Sequence, residues 1–514
     1  MKRYVAVLAL LIALHTPSVN AERAITFAPF EIPASGTLVI VVAEGVSQTG
    51  VFKEVDAVSG GALRRAVDAS AFQAMRNQQL SLPGVGPYDR VLLVGTGTDP
   101  VTPRLLEDVG GRAGQDGAKS TADRIDILWQ DDDANAAAHL AFGAALGQYR
   151  FMKYRTPAED QPVTGEGEFV IRTPAGAAAA PAYQGDWAPV ARAIRFARDV
   201  ISEPGLVIYP ESFVQRAREA FDGLANVRIE VLDVPAMEKL GMGGILAVGR
   251  GSMRPPRLLV IRYDGGERND APYAFVGKGI TFDSGGISLK DNDGMWKMKY
   301  DMSGAAAATA TVLALAGRKA PVNAVGIAAL AENMPSGSAG RPGDVVRTMS
   351  GKTFEVISTD AEGRMVLSDA VFYAQQEFEP RVLVDLATLT GSVRTALGDE
   401  YAGVFSRHDV LADDLRKAGE IAGEDLWRLP LHPTYAVDME SPIADIRNSG
   451  GPGSMAGAGL GAFFIGNWVD ENTQWAHLDI AGMAWRENED LPTVPIGASG
   501  FGIRLLDRYV RTSE

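Results

Sequence analysis

Cysteine is absent from this 514-residue chain, which excludes disulfides, thiolate metal ligands and a thiol nucleophile. Histidine is scarce: five residues, His15, His139, His408, His432 and His477, scattered and never in an HExxH pattern. Any metal site must therefore rest mainly on carboxylates. Positive charge is in the minority, with 49 Lys and Arg against 64 Asp and Glu and a formal net charge of −15. No run of basic residues breaks that balance, and an acidic surface repels phosphate backbones, so nucleic acid is not expected as a partner. Beyond residue 21 no apolar run approaches the roughly 18 residues of a membrane-spanning helix, so no stable membrane anchor is expected.

What the chain does have begins with an unusual start. Lys2 and Arg3 precede an apolar run from Tyr4 to Leu14, and Val19-Asn20-Ala21 fits a small-x-small cleavage site before Glu22. This is the layout of a signal peptide, and it predicts an exported protein, periplasmic or secreted, with residues 1–21 removed. The remaining length exceeds what one core serves, and 46% apolar residues suit a globular chain. The expected organisation is α/β throughout: a smaller N-terminal α/β domain over 22–175, a linker over 176–189 and a larger C-terminal α/β domain over 190–514 with a mainly parallel central sheet. The linker assignment rests on the low charge and the Ala and Pro content of TPAGAAAAPAYQGDWAP. Strands are predicted at Gly36–Ala43, Arg90–Gly95, Arg257–Tyr263, Ala274–Val276, Asn323–Ala329 and Val382–Leu386. Helices are predicted at Ala134–Tyr149, Ser303–Ala316 and Arg364–Gln376, and the Gly-rich Ser449–Gly461 reads as a loop or close-packing turn.

Three clusters carry the chemistry. In VGKGITFDSGGISLK (276–290) a strand runs into a Gly-punctuated loop with Lys278, Asp283 and Lys290. Asp301 lies just before the Ala-rich helix, and in STDAEGR (358–364) Asp360 and Glu362 stand two apart, on one side of an extended segment. Four carboxylates balance the charge of two divalent cations, as a buried two-metal site requires. A lysine there is either a neutral nitrogen ligand or an ammonium that stabilises an oxyanion, and Lys278 and Lys290 can divide these tasks. Arg364 stays cationic and must hold an anion. Each cluster also has a plainer reading: glycines of a turn, Asp301 as a helix cap, Asp360 as a turn residue. A nucleotide loop is disfavoured, because Ser350-Gly351-Lys352-Thr353 has Val346 where the motif needs glycine.

These segments, with MKYDMSGAAA (298–307), AENMPSGSAGRPGDVV (331–346), LATLTG (386–391) and WAHLDIAGMAW (475–485), closely resemble the leucyl aminopeptidases, the M17 family of metallopeptidases. The resemblance covers roughly 190–500. It implies an aminopeptidase that removes a Leu-like N-terminal residue, with broad specificity, by attack of a water activated between two metal ions. The ions implied are zinc, with manganese or magnesium at a more exchangeable position. Carried over by motif, Lys278, Asp283, Asp301, Asp360 and Glu362 would be the ligands, and Lys290 and Arg364 the catalytic pair, with bicarbonate on Arg364. Met298, Asp301, Thr388, Leu389 and Gly391 would contact the substrate. Peptides would be the partners, and the assembly a homohexamer. Ser358 and Ser202 stand where the family usually has asparagine, and Leu460-Gly461 where Thr and Ala are common. Two other readings are a dipeptide-directed exopeptidase at the same site and a DNA-binding or chaperone-like role. The acidic balance and the intact ligand set oppose the latter.

Overall fold

The computed structural model describes residues 22–45, 50–156, 164–451 and 453–514. The apolar start and cleavage motif at 1–21 lie outside them. In chain order the strands of the first half are β1 (Ala24–Ala28), β2 (Gly36–Val42), β3 (Gln79–Val85), β4 (Tyr88–Gly95), β5 (Arg124–Leu128) and β6 (Glu168–Arg172). They form one sheet in the order β1-β6-β5-β2-β4-β3, parallel except for the β3/β4 hairpin. Its helices Pro103–Gly117 and Ala134–Gly147 cross closely. A Cβ on Gly110, Gly114, Gly143 or Gly147 would collide with the partner helix backbone, so glycine sets their spacing. Asp133 caps the second helix by accepting from Asn135 N at 2.8 Å.

The second half contributes β7 (Val227–Leu232), β8 (Arg257–Asp264), β9 (Tyr273–Asp283), β10 (Asn323–Asn333), β11 (Val345–Arg347) and β12 (Thr353–Glu355). Then follow β13 (Val382–Ala387), β14 (Ala402–Ser406), β15 (Leu426–Arg428), β16 (Ile446–Arg447) and β17 (Trp475–Asp479). An eight-stranded sheet runs β15-β14-β17-β13-β9-β10-β8-β7. Its centre, β17-β13-β9-β10, is parallel, while β14/β17, β10/β8 and β8/β7 are antiparallel. The expected α/β architecture with a parallel central sheet is therefore observed, with antiparallel strands towards its edges. The short β11, β12 and β16 form a separate sheet.

The helix Ser303–Gly317 is buried along almost its whole length, as an Ala-rich helix that is apolar all round should be. It packs so tightly on the sheet that a Cβ on Gly277 would collide with Gly304, and one on Gly304 with the Leu386 carbonyl. This explains one departure from expectation. The glycines at 277 and 279 do not end the strand; β9 continues through Lys278 to Asp283, and the glycines serve close helix packing instead. A second departure concerns 176–189, expected as a linker. It is helical: Gly176–Ala182 and Tyr183–Trp187 lead directly into the helix Ala188–Ser202, because alanine favours helix and Tyr183 and Trp187 have a core to enter. The Gly-rich 449–461 likewise passes into a helix, Gly457–Gly466.

The two halves are joined by buried charge. Arg198, 2% exposed, donates to the carbonyls of Leu146 (3.0 Å), Thr493 (2.7 Å) and Ser499 (3.0 Å). Glu107, in the first half, pairs with Arg504 of the C-terminal helix and accepts from His139 Nδ1 at 2.8 Å. Among the described residues no helix is long and apolar enough to cross a membrane.

Candidate metal centre

The parallel strands of the large sheet deliver the site at their C-terminal ends, where open α/β sheets present their ligands. Lys278 and Asp283 lie on β9 itself, Asn333 ends β10, and Thr388 follows β13. Asp301 closes the short helix Met295–Met302. Glu362 begins the helix Glu362–Phe378, two residues earlier than the sequence predicts, so Asp360 and Glu362 do not share an extended segment. Asp360 sits in the turn before the helix and Glu362 in its first turn, and the bend between them at Ala361 sets their relative direction.

Carboxylate oxygens of Asp283, Asp301 and Glu362, all buried, lie within 4.8 Å of one another. Each lysine spans two carboxylates. Lys278 Nζ lies 2.7 Å from Asp301 Oδ2 and 2.8 Å from Glu362 Oε1, and donates to the Thr388 carbonyl at 2.9 Å. Lys290 Nζ lies 2.7 Å from Asp283 Oδ2 and 2.5 Å from Asp360 Oδ1. The two lysines differ in access: the Lys278 side chain is 3% exposed, the Lys290 side chain 22%. Asp360 is on the outer side, 38% exposed.

Supporting hydrogen bonds fix the carboxylates. Asp283 Oδ1 accepts from Gly285 N (2.9 Å) and Asn333 Nδ2 (2.8 Å), and Asn333 also reaches the Thr359 carbonyl at 3.0 Å. Thr388 Oγ1 donates to Asp301 Oδ1 at 2.8 Å. The family resemblance implies a substrate contact for Thr388 and nothing for Asn333. Their roles here depend on strand neighbours that a single sequence does not reveal. Leu389 N and Thr390 Oγ1 are held by the buried Asp479, at 3.2 and 2.7 Å. Gly391 begins the helix Gly391–Leu397. Met298 and Lys290 border the same cavity, of about 350 Å³.

The electrostatics combine burial with an imbalance of charge. Among these side chains four carboxylates face two lysines, so negative charge is in excess, and an excess of negative charge favours protonated neighbours. Burial and neighbouring carboxylates push Asp301 well above the usual carboxylate range, and Glu362 and Asp360 upward, against the pull of the lysines. Burial on its own would lower the ammoniums, but the carboxylates more than reverse this and hold Lys278 and Lys290 above the ordinary lysine value. Arg364 is buried, which lowers its guanidinium to about 10, still cationic at neutral pH.

The donor set fits divalent cations. Glu362 Oε2 is buried with no hydrogen-bond partner among the described residues, and Asp301 Oδ2 meets only the Lys278 ammonium, outside hydrogen-bonding geometry. Buried oxygens left in this state are costly unless a cation completes them, and hard oxygen donors suit a small divalent ion, with Lys278 able to join them once the cation's charge displaces its proton. Arg364 Nε is similarly unpaired, while its Nη1 donates to the Asn448 carbonyl at 3.0 Å.

The close fit of Lys278 gives a test. A Cβ on Gly363 would stand 2.5 Å from Lys278 Cδ and 2.8 Å from its Nζ. Gly363→Ala should therefore push the lysine off Asp301 and Glu362, costing about 1–3 kcal/mol of stability together with most of the activity. Thermal unfolding and steady-state rates check this, and a variant with parent-like values for both would show that the lysine has room to move.

Comparison with known proteins follows the same lines. The model of the cytosol aminopeptidase family, catalytic domain, matches residues 195–507, and that of its N-terminal domain matches 38–158. A probable cytosol aminopeptidase of Caulobacter vibrioides is 44% identical over 95% of this chain and 98% of its own length. One of Nitrobacter winogradskyi is 42% identical over 94% and 97%. Among solved structures, a mutant of tomato leucine aminopeptidase superposes with a TM-score of 0.84 at 29% identity, covering 96% of this chain and 97% of its own. The bottromycin maturation enzyme BotP in complex with Mn superposes at 0.79 with 32% identity, covering 93% and 99%. The names of the relatives correct one expectation. Residues 1–21 predict export, yet relatives matching nearly the whole chain are named for the cytosol. A basic start followed by an apolar run is a compositional pattern, and composition alone does not distinguish a cleaved signal from other N-terminal segments.

Proposed function

This chain belongs to the cytosol aminopeptidase family and is a metallo-aminopeptidase, and on that premise we propose that it removes Leu-like N-terminal residues, with broad specificity, at a two-metal centre. Lys278, Asp283, Asp301, Asp360 and Glu362 would hold the ions: zinc, with manganese or magnesium at the more exchangeable position beside Asp360. The reading is carried by the convergence of Asp283, Asp301 and Glu362 within 4.8 Å. Bound divalent ions supply the positive charge that makes water a nucleophile near neutral pH.

The chain's own groups do the rest. Asp301, buried beside the ions, would hold the substrate's free α-amine and so confine cleavage to the first residue. Lys290, on the accessible side, stabilises the negative charge that develops on the scissile carbonyl oxygen. Arg364 offers its unpaired Nε to an anion, bicarbonate in this reading, which accepts the proton of the attacking water. Met298, Leu389 and Gly391 border the departing residue. The family likeness also implies a homohexamer, against which light scattering of a fully active monomer would count.

Removal of metal is the direct test. Dialysis against a chelator should reduce hydrolysis of leucine amide to background, and zinc or manganese should restore it. N-acetylation of the substrate should block cleavage. Rates that survive chelation would end the metal reading, and cleavage of the acetylated substrate would end the role given to Asp301. Arg364→Ala should keep its metal and lose less activity than a ligand variant, with added bicarbonate restoring part of the rate.

A further inference from the structure

The cavity that opens beside Lys290 is bounded by Met298, Tyr300, Arg394, Ala481 and Trp485. Of the residues set around the departing side chain Met298 borders this cavity, together with Lys290, so the cavity adjoins the place where the first side chain would lie. Arg394 enters this wall from the helix Gly391–Leu397, three residues after Gly391, and residues three apart share a helix face. Arg394 itself is exposed, so its guanidinium is open to approach. The other cations of the wall are engaged: Lys290 with Asp283 and Asp360, Lys297 with Glu487. The Arg394 guanidinium has neither a hydrogen bond nor an ion pair among the described residues.

We propose that Arg394 is a specificity-determining residue that lets the enzyme accept peptides beginning with glutamate or aspartate, the side-chain carboxylate pairing with the guanidinium while its methylenes lie against Met298 and Trp485. This rests on the aminopeptidase reading of the site. A planar guanidinium pairs with a carboxylate through two parallel hydrogen bonds, and a cation without a protein partner gives up no existing pair to do so. Three exposed carboxylates also border the cavity, Asp291, Asp293 and the Lys297-paired Glu487, and the sign of Asp291 and Asp293 would instead favour a basic first residue. The preference is therefore decided by which charge the first side chain meets.

The test is steady-state kinetics of the metal-loaded full chain on glutamyl, leucyl and lysyl amides, with Arg394→Met and Arg394→Lys. The parent enzyme should hydrolyse the glutamyl substrate faster than the lysyl one. In R394M the ratio of kcat/KM for the glutamyl to the leucyl substrate should fall roughly tenfold, the loss of one charge-assisted pair. R394K should retain part of it, and most of the change should appear in KM. A general loss of structure would lower both rates and leave the ratio alone. An unchanged ratio in R394M, or a parent enzyme that prefers the lysyl substrate, would overturn the role of Arg394 while leaving the aminopeptidase intact. Failure to hydrolyse any of the three would instead overturn the function on which it rests.

Discussion

Replacing Glu362 by alanine is expected to remove metal and activity together. The carboxylate supplies one oxygen to Lys278 at 2.8 Å and leaves the other, buried, without a hydrogen-bond partner among the described residues, so it has an oxygen free for a cation. Without it, divalent cations lose a negative charge and a central ligand in a buried site, where an under-neutralised ion is costly. Several kcal/mol of transition-state stabilisation go with the metal, and kcat/KM should fall by on the order of 10³-fold or more. The fold should not suffer. The cluster carries excess negative charge, so a smaller excess lowers repulsion in the metal-free chain, and Lys278 keeps Asp301 and the Thr388 carbonyl. Elemental analysis and thermal unfolding of the metal-free protein read these effects separately. A Glu362→Ala protein that retains its full metal content would show that the ions are held elsewhere.

Lys290→Ala should behave differently, with metal retained and kcat reduced roughly 10²–10³-fold, the usual effect of deleting one oxyanion donor. The argument is one of access. Both lysines touch two carboxylates, but Lys278 is sealed beneath Gly363 whereas Lys290 borders the cavity beside Met298. Neighbouring carboxylates hold its ammonium above the ordinary lysine value, so it is charged throughout the neutral range. Lys290→Arg should recover part of the rate by restoring the charge with a different reach. Loss of metal on Lys290→Ala would reverse the roles assigned to the two lysines.

Much of this was readable from residues alone. The absence of cysteine and the scarcity of histidine pointed to carboxylates, and the charge balance of Asp283, Asp301, Asp360 and Glu362 suggested cations before any coordinates. The large helix at Ser303 and the strands at Arg257, Asn323 and Val382 were legible because their apolar patterns are long. What local pattern did not show was what depends on neighbours. The glycines at 277 and 279 read as turn formers, but their purpose is contact with Gly304 and Ala305 from a distant helix. Thr388 lies close to Lys278 and Asp301 because β13 pairs with β9, and pairing order is not written in local sequence. Asn333 reaches Asp283 from the end of β10 for the same reason. The segment 176–189 reads as a linker because its low charge, alanines and prolines carry no trace of the core that Tyr183 and Trp187 enter.

The strand order has a consequence for biogenesis. The proposed ligands are carried by β9, by the short helix Met295–Met302 and by the segment around Glu362, and they would be held in place by the ends of β10 and β13. A ribosome must therefore release the chain well beyond Thr388 before the first ion can meet its full complement of donors, and sheet assembly across such separations is slow compared with local helix formation. Metal acquisition is thus a late event, and the cofactor cannot act as a folding template as it does in a zinc finger. Cells starved of the ion should accumulate a folded, protease-resistant and inactive enzyme that revives within the time of ion entry, without new protein synthesis.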